Sequence, residues 1–497
     1  MRKLHIWFAL FAVVGITAFM QVSCGSSTMT SSKGGGPVGP PTNSGSVLLM
    51  GGDAPVCDVI SFKVTITGAI LNSSMGGASP SIIASASPVT VDFARLMDFS
   101  TFLNLGSAPA GTYESLSLTL ANPEMTVLDM TKNPPAPEQI PVTLTSSSVN
   151  ITLTAPIVIT NGATSGLQLD FNLLKSVQVD GSGQVTGTVN PVITGAPSAS
   201  DTPPEMDDVA GIVQSVSTQS ASASIGSITI NNDDGKTLTV YVPSNAVIKG
   251  ASGLSSIQAG TFVEMTVELS VSGSMAATEI DVETADNGQI RAYAGFITSV
   301  TRDTSGNAQQ FTMIIRAEMP SPVASLALLS SANVTISSST QFGIASQSTN
   351  VGGLNYSPAG VGVGQEVVVH GPLPQATSGS SSAGSAATIM ASAIFLRPQA
   401  LLGNFVKLLG GSSSADNRQG GFTFNPCEPL LQGQTMPVFT FEQTQFTGVS
   451  GLNQLTPSAQ IVVKGLLFYM PQSVTINGIA VQPPTMLFEA RGVEQLP

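Results

Sequence analysis

The feature that most constrains the fold is a short apolar pattern that recurs along the second half of the chain. Residues 210–216 (AGIVQSV) are echoed by residues 294–300 (AGFITSV), and a weaker copy begins at residues 402–406 (LGNFV). Repeats of this size are separate small domains rather than the units of a solenoid. We therefore expect two or three modules of one kind.

The segments that follow each copy have the composition of short β-strands. Val and Thr suit a half-buried pleated surface, and frequent Gly and Pro mark the turns. Each copy then contains three further strand-like segments. A polar turn ends the first of them, and a turn containing Gly or Gln precedes the second. These segments are 237–242, 261–267 and 278–282 in the first copy, 333–336, 365–371 and 388–395 in the second, and 438–441, 460–465 and 485–491 in the third.

The segment 46–194 also alternates between apolar and polar residues, as β-strands do. Its strand-like segments are 46–50, 59–70, 89–93, 115–120, 149–153, 167–171 and 185–193. Seven or more short strands at this spacing favour an antiparallel sandwich. The predicted fold class is all-β, with an N-terminal antiparallel β-sandwich followed by two or three small β-barrel-like modules.

These patterns divide the chain into seven segments. They are a signal peptide (1–24), a flexible tether (25–45), the β-sandwich domain (46–194), a linker (195–208), and β-barrel-like repeats at 209–284, 293–397 and 401–494. The second repeat carries a Ser/Gly insertion at 376–387, which we interpret as a hairpin loop.

The N-terminus has the pattern of an export signal. Arg2 and Lys3 precede a nearly uninterrupted apolar run at residues 6–20, which is short for a membrane-spanning helix. The run ends at the sequence VSCG, which resembles the lipobox of bacterial lipoproteins. That resemblance implies that Cys24 is lipidated and becomes the new N-terminus, and that Gly25 after it directs the protein to the outer membrane. An ordinary secretory signal, leaving Cys24 as a free thiol, is the alternative.

Two further resemblances follow from motifs. The set DAP at 53–55, PAGTY at 109–113, LDFN at 169–172, KSV at 175–177 and NPVI at 190–193 resembles domain of unknown function 4382, found in bacterial lipoproteins. This resemblance implies a β-sandwich on the cell envelope and no known activity. The repeats resemble domain of unknown function 5666, a small β-barrel-like module of envelope proteins.

Charge and residue counts exclude several classes of function. Only 9% of the residues are charged, the net charge is −13, and no Lys/Arg run follows the signal. Nucleic acid binding needs clustered cations, so we expect no nucleic acid partner. The chain has two histidines, of which His5 lies in the signal and His370 in an apolar strand without a nucleophile motif. We predict no catalytic residues and no enzyme activity.

Calcium is the one cofactor that we consider, because it binds oxygen ligands and needs neither Cys nor His. Asp233 and Asp234 could bind a cation in the loop NNDDG, although Asp-Gly between two strands is more typical of a tight hairpin. Asp53 and Asp58 form a second weak candidate. Zinc would need Cys and His in tight clusters, which this sequence lacks.

Cys57 and Cys427 are the other cysteines, far apart in sequence. A disulfide and two buried free thiols are both open, and we expect the buried thiols.

The predicted function is a non-enzymatic, lipid-anchored envelope protein, built as a rod, that displays, adheres or acts as a scaffold. Its expected partners are the membrane, through the lipid, and an envelope or extracellular protein or glycan. A ligand- or calcium-binding envelope protein is the alternative, and an unrecognised hydrolase is the least favoured hypothesis.

Overall fold

The computed structural model describes residues 44–496, except for short internal segments. The gaps are 55, 74–75, 78, 96–100, 182–183, 199–204, 220–223, 233–236, 270–274, 284–289, 320–327, 346–352, 373–386 and 411–416. The described chain is almost entirely β-strand, which confirms the predicted all-β, multi-module fold. We divide it into module 1 (44–197), module 2 (205–283), module 3 (290–396) and module 4 (399–495).

Module 1 is built on one large curved sheet. Its order is β3-β2-β6-β9-β13-β10-β1-β5, with β4 and β7 paired to β2 and β6 and a small separate sheet of β11, β12 and β8. Most pairings are antiparallel, but β1 lies parallel to β10, and β13 lies parallel to β9. The strands are β1 (Ser44–Ala54), β2 (Val59–Asn72), β3 (Ser81–Ile83), β4 (Val89–Asp92), β5 (Thr101–Pro109), β6 (Gly111–Asp129), β7 (Ala136–Ile140), β8 (Thr143–Leu144), β9 (Ser148–Ile159), β10 (Thr164–Asn172), β11 (Val177–Val179), β12 (Val185–Val189) and β13 (Ile193–Pro197), with 3-10 turn Phe93–Arg95 and helix α1 (Leu173–Ser176).

The sheet curls until its two ends meet, because alternate side chains of every long strand are apolar and must share one interior. The Asn104 side chain on β5 donates a hydrogen bond to the carbonyl of Ile82 on β3. Inside, the Phe171 ring lies 5.4 Å from that of Phe62 and 4.8 Å from that of Phe93, centroid to centroid. The apolar residues of the strands thus enclose one core.

The motifs shared with domain of unknown function 4382 are structural in this protein. The Asn172 side chain accepts a hydrogen bond from the Lys175 backbone N–H at 2.9 Å and so caps α1. The Ser176 hydroxyl donates to the Asn172 carbonyl and accepts from the Val192 N–H, which ties α1 to β13. The Tyr113 hydroxyl donates to the Pro109 carbonyl at 2.9 Å and anchors the turn between β5 and β6.

Modules 2, 3 and 4 share one strand order. The first strand pairs with the second and fourth, and the third lies parallel to the fifth: β16 with β19, β22 with β25, and β29 with β33. This closes a five-stranded barrel with the order of the OB-fold. The strands of module 2 are β14 (Glu205–Thr218), β15 (Ser224–Asn232), β16 (Thr237–Pro243), β17 (Val247–Lys249), β18 (Phe262–Leu269) and β19 (Met275–Glu283).

The other two modules elaborate the same barrel. In module 3 the fifth strand is split in two, and in module 4 a small hairpin precedes the fifth strand. The strands of module 3 are β20 (Ile290–Arg302), β21 (Ala308–Met319), β22 (Ser331–Thr335), β23 (Gln341–Ile344), β24 (Glu366–Pro372), β25 (Ala387–Met390) and β26 (Ala393–Leu396); those of module 4 are β27 (Gln399–Gly410), β28 (Gly420–Pro426), β29 (Met436–Thr447), β30 (Gln460–Met470), β31 (Val474–Ile476), β32 (Ile479–Val481) and β33 (Thr485–Gln495). Short 3-10 turns occur at Leu254–Ser256, Pro358–Gly360, Pro429–Leu431 and Leu452–Gln454.

The sequence repeat therefore marks the first strand of each barrel. Residues 210–216 lie in β14, residues 294–300 in β20 and residues 402–406 in β27. The predicted linker 195–208 is shorter than expected, because β13 continues to Pro197 and β14 begins at Glu205. The insertion at 376–387 lies almost wholly outside the described residues.

Several strands are buried on both faces and join the modules in pairs. On β1, Val47 and Leu49 face the core of module 1, whereas Leu48 and Met50 pack into the core of module 2. On β30, Leu467 faces the module 4 core, and the flanking residues Leu466 and Phe468 pack into the core of module 3. We call modules 1 and 2 the first half and modules 3 and 4 the second half.

The two halves also touch each other, through three smaller apolar patches. One joins modules 2 and 3, one joins module 1 to both modules of the second half, and one joins modules 1 and 4. The buried members of the first patch are Ala210, Phe262, Ala292, Ala294, Ala317 and Val368. Those of the second patch are Ile60, Leu128, Phe296 and Ile314, and those of the third are Ala400, Leu402 and Val462. The expected rod is therefore wrong, because the first and last modules are in direct contact.

The glycine of the repeat is needed where the first and second strands cross closely. A Cβ on Gly295 would lie 1.9 Å from the Ile314 carbonyl oxygen, and one on Gly403 would lie 2.2 Å from that of Asn425. We expect Gly295→Ala to lower the free energy of unfolding by roughly 1–3 kcal/mol, because the backbone must shift. Gly181→Ala, at a position with no neighbouring atom within 4 Å, is the matched control in denaturant unfolding. Equal stability of the two variants would contradict this account.

Candidate functional site

The structure places only some of the residues predicted from sequence. Cys24, Asp233 and Asp234 lie outside the described residues, and of Asp53 only the backbone, paired with Phe171, is described. Asp58 is partly buried at the start of β2, where its carbonyl accepts a hydrogen bond from the Leu128 N–H. Within the described ranges no three His, Cys, Asp or Glu residues come close enough to hold a metal ion. The calcium hypothesis for Asp53 and Asp58 stays a prediction.

Cys57 and Cys427 form a disulfide, so our expectation of two buried free thiols is wrong. Their Cα atoms are 5.3 Å apart, although 370 positions separate them in sequence. Cys57 lies in the turn before β2 of module 1, and Cys427 directly follows β28 of module 4. Both pack beside Leu174 of α1 and Leu496 at the end of module 4. The bond joins the two halves of the protein where their surfaces meet.

An arginine from module 3 crosses the same boundary. Arg316 is only 7% exposed, and its Nε and Nη2 donate to the Ile60 carbonyl of module 1 at 3.2 and 2.8 Å. Nη2 also donates to the Ala94 carbonyl at 3.2 Å, and Nη1 forms an ion pair with Glu366 on β24. The guanidinium lies 5.5 Å from the Phe296 ring centroid. Arg316 thus donates hydrogen bonds to two carbonyls of module 1 that the contact would otherwise bury without this donor.

Carboxyl groups gather around this arginine. Glu428 follows Cys427, and burial raises its pKa to about 8; the negative charges of Asp58 and Glu366 raise it too, whereas the charge of Arg316 lowers it. Glu428 as a residue is partly buried. Burial also raises the pKa of Asp58. The charge of Arg316 therefore only partly offsets the cost of burying the charged form of Glu428.

A second group of charges lies on the same interface. Burial raises the pKa of Asp170, the acidic residue of the LDFN motif. Lys464 and Glu494 of module 4 act on it with opposite signs, Lys464 lowering the pKa and Glu494 raising it, and Lys175 of α1 lowers it further. The Asn172 cap described above positions α1 beside this contact. We call the disulfide, Arg316 and these carboxyls the junction.

Sequence reasoning missed most of the junction. The only signals in the sequence were that Arg316 is one of two charges in the otherwise mostly apolar segment FTMIIRAEM and that Glu428 follows a cysteine. His370, by contrast, lies where the sequence placed it, buried in β24 with its ring 5.1 Å from that of Phe395. Chemically, the junction offers a bond that thiols can cleave and carboxyls that can take up protons.

The comparisons with known proteins bear on module 1 alone. Residues 44–188 match the family model described as "Domain of unknown function (DUF4382)". The match confirms the resemblance expected from the motifs of module 1. The resemblance of the repeats to domain of unknown function 5666 stays a prediction.

No curated protein matches the chain. A solved Drosophila structure titled "drosophila Unr CSD456" is 12% identical and covers 58% of this chain and 97% of its own, with a TM-score of 0.13. That score is too low to transfer fold or function. Among the described residues, no helix has the length and apolar character required to span a membrane.

The buried arginine gives a stability prediction. We expect Arg316→Met to lower the free energy of unfolding by about 3–5 kcal/mol, because Glu366 and two carbonyls of module 1 lose their partner. Adding Glu366→Gln should recover part of the loss, since no uncompensated charge then remains. Lys132→Met, which removes an exposed ion pair with Asp129, is the control and should leave the denaturation midpoint unchanged. A wild-type midpoint for Arg316→Met would show that the contact is energetically neutral.

Glu428 gives a pH prediction. Its pKa is about 8 in the folded protein against an ordinary value of 4.5, so the folded state binds the extra proton between these values. Stability should therefore fall as pH rises from about 4.5 to about 8, and should lose this dependence above that range. Thermal melts of wild type and Glu428→Gln across this range test it. The variant should show a flatter profile, and identical profiles would rule out Glu428 as the titrating group.

Proposed function

We propose that this protein is an exported, lipid-anchored component of a bacterial cell envelope that acts by display, adhesion or scaffolding rather than by catalysis. Its lipid would be attached at Cys24, and the outer membrane is its proposed location. Its partners would be the membrane, through that lipid, and an envelope or extracellular protein or glycan.

The observation that carries the proposal is the Cys57–Cys427 disulfide. Structural disulfides form and persist in oxidising compartments outside the cytoplasm, where thiols are not kept reduced. A bond between the first and last modules can form only after both have folded and met. Export before folding, as the N-terminal signal implies, provides that order of events.

Two further observations agree with a role in binding rather than chemistry. The motif residues of module 1 cap α1 and anchor a turn. These structural roles explain the motifs, so no catalytic role is needed to explain them. His370, the histidine that follows the signal, is 4% exposed and packs on Phe395. The buried guanidinium of Arg316 bonds to two carbonyls of module 1 and so holds two modules together.

Cell fractionation of Cys24→Ala tests the anchor. Wild type should be found in the membrane fraction and should incorporate labelled fatty acid, and Cys24→Ala should be released in soluble form without the label. Ser23→Ala is the matched control, since it alters the same motif and keeps the cysteine to which the lipid attaches. If Cys24→Ala fractionates as wild type does, the lipid anchor is wrong.

Protease treatment of intact cells then distinguishes the two faces of the membrane. Cleavage of wild type in intact cells would indicate surface display and an extracellular partner. Protection until the outer membrane is broken would indicate a periplasmic scaffold.

Thiol alkylation before reduction should leave Cys57 and Cys427 unmodified in exported protein.

A further inference from the structure

The interface between the two halves differs from the interfaces within them. Within each half, modules share large apolar cores, such as the one formed by Phe439 and Phe468 of module 4 with Tyr293 of module 3. Between the halves, the apolar patches are small, and buried charges lie beside them. The backbone passes between the halves once, after Glu283 and before Ile290. The disulfide is a second covalent link, placed at the contact of modules 1 and 4.

The charges at this interface favour separation when they are ionised. The charges of Asp58 of module 1 and Glu366 of module 3 raise the pKa of Glu428 of module 4, and the charge of Arg316 lowers it. Asp170 of module 1 faces Glu494 and Lys464 of module 4, with Lys175 on its own side. Closure removes the carboxyls of Glu428, Asp58 and Asp170 from water, which raises their pKa values and disfavours their charged form, and separation would return them to water.

We propose that the Cys57–Cys427 disulfide is a redox-controlled latch: while it is formed the two halves stay closed, and once it is reduced they separate unless the carboxyls at the junction are protonated. The disulfide raises the effective concentration of one half at the surface of the other, so closure needs little help from the interface itself. Without it, closure depends on the small apolar patches, on the bonds from Arg316 to module 1 and on proton uptake. The latch is independent of the lipid anchor, and a wrong assignment of Cys24 would leave it intact.

The opening reaction is thiol–disulfide exchange with a dithiol reductant, either a small dithiol or a thioredoxin-type protein. A thiolate of the reductant attacks the sulfur of Cys57 or Cys427, the S–S bond breaks, and a mixed disulfide forms. The second thiol of the reductant displaces the protein sulfur. The reductant leaves as its own disulfide, and the protein has gained two electrons and two protons as two thiols.

Fluorescence energy transfer between the halves tests the latch. In purified Cys24→Ala protein, Val158→Cys of module 1 and Leu408→Cys of module 4 provide exposed sites for maleimide dyes. The native disulfide does not react with maleimide. With the disulfide formed, transfer efficiency should be the same at about pH 5 and about pH 9, on either side of the pKa of Glu428. With Cys57→Ser and Cys427→Ser added, efficiency should keep that value at the lower pH and depart from it at the higher pH.

The proton dependence identifies the groups involved. If closure takes up one proton, its equilibrium constant should change by at most about tenfold per pH unit. Adding Glu428→Gln to the double serine variant should keep the halves closed to higher pH. Glu442→Gln, an exposed position on the same module, is the matched control and should change nothing.

Two results would overturn the proposal. One is a double serine variant with the same efficiency at both pH values, which would mean that the interface closes, or opens, without regard to the carboxyls. The other is an unchanged efficiency when folded, labelled protein with its disulfide intact is treated with dithiothreitol and measured at the higher pH. This second measurement does not require the serine variant to fold.

Discussion

The bond between Cys57 and Cys427 links the first and last modules covalently at the surface where they meet. It closes a loop of 370 residues, and in the chain-entropy account a loop of that length destabilises the unfolded chain by about 6 kcal/mol. The same bond holds Asp58 and Glu428, the residues that follow the two cysteines, near each other. Arg316 lies beside them because it can bond two carbonyls of module 1 and a carboxylate of module 3 at once. Covalent linkage thus permits a polar interface that small apolar patches alone would hold less firmly.

Burial on both faces of single strands explains how four small modules become one body. A strand that covers one core presents alternating apolar and polar residues, whereas a strand between two cores is apolar throughout. The run VLLM at 47–50 and the run LLF at 466–468 are of the second kind. Each places neighbouring side chains in different modules. Modules 1 and 2, and modules 3 and 4, are therefore packed together as firmly as the layers of a single domain.

Much of the fold could be predicted from sequence, because strand formation depends on local alternation and turn residues. The segment 237–242 became β16, 365–371 became β24, and the closing segment 485–491 lies within β33. The parallel pairing of β1 with β10 could not be predicted, since strands far apart in sequence carry no mark of their neighbours. The junction escaped for the same reason. Its members come from three modules, and each of them alone resembles an ordinary surface or turn residue.

The sequence by itself determined the all-β fold, the start of each barrel and the resemblance of module 1 to a domain of unknown function, because these depend on residues close together in the chain. The repeat contains a glycine in each copy, and in the second and third copies the first two strands cross closely at Gly295 and Gly403. Only the tertiary structure decided that Cys57 meets Cys427, that Arg316 bridges two modules, and that the chain folds back on itself. Those facts depend on surfaces that exist only after each module has folded, and residues hundreds of positions apart then come within bonding distance.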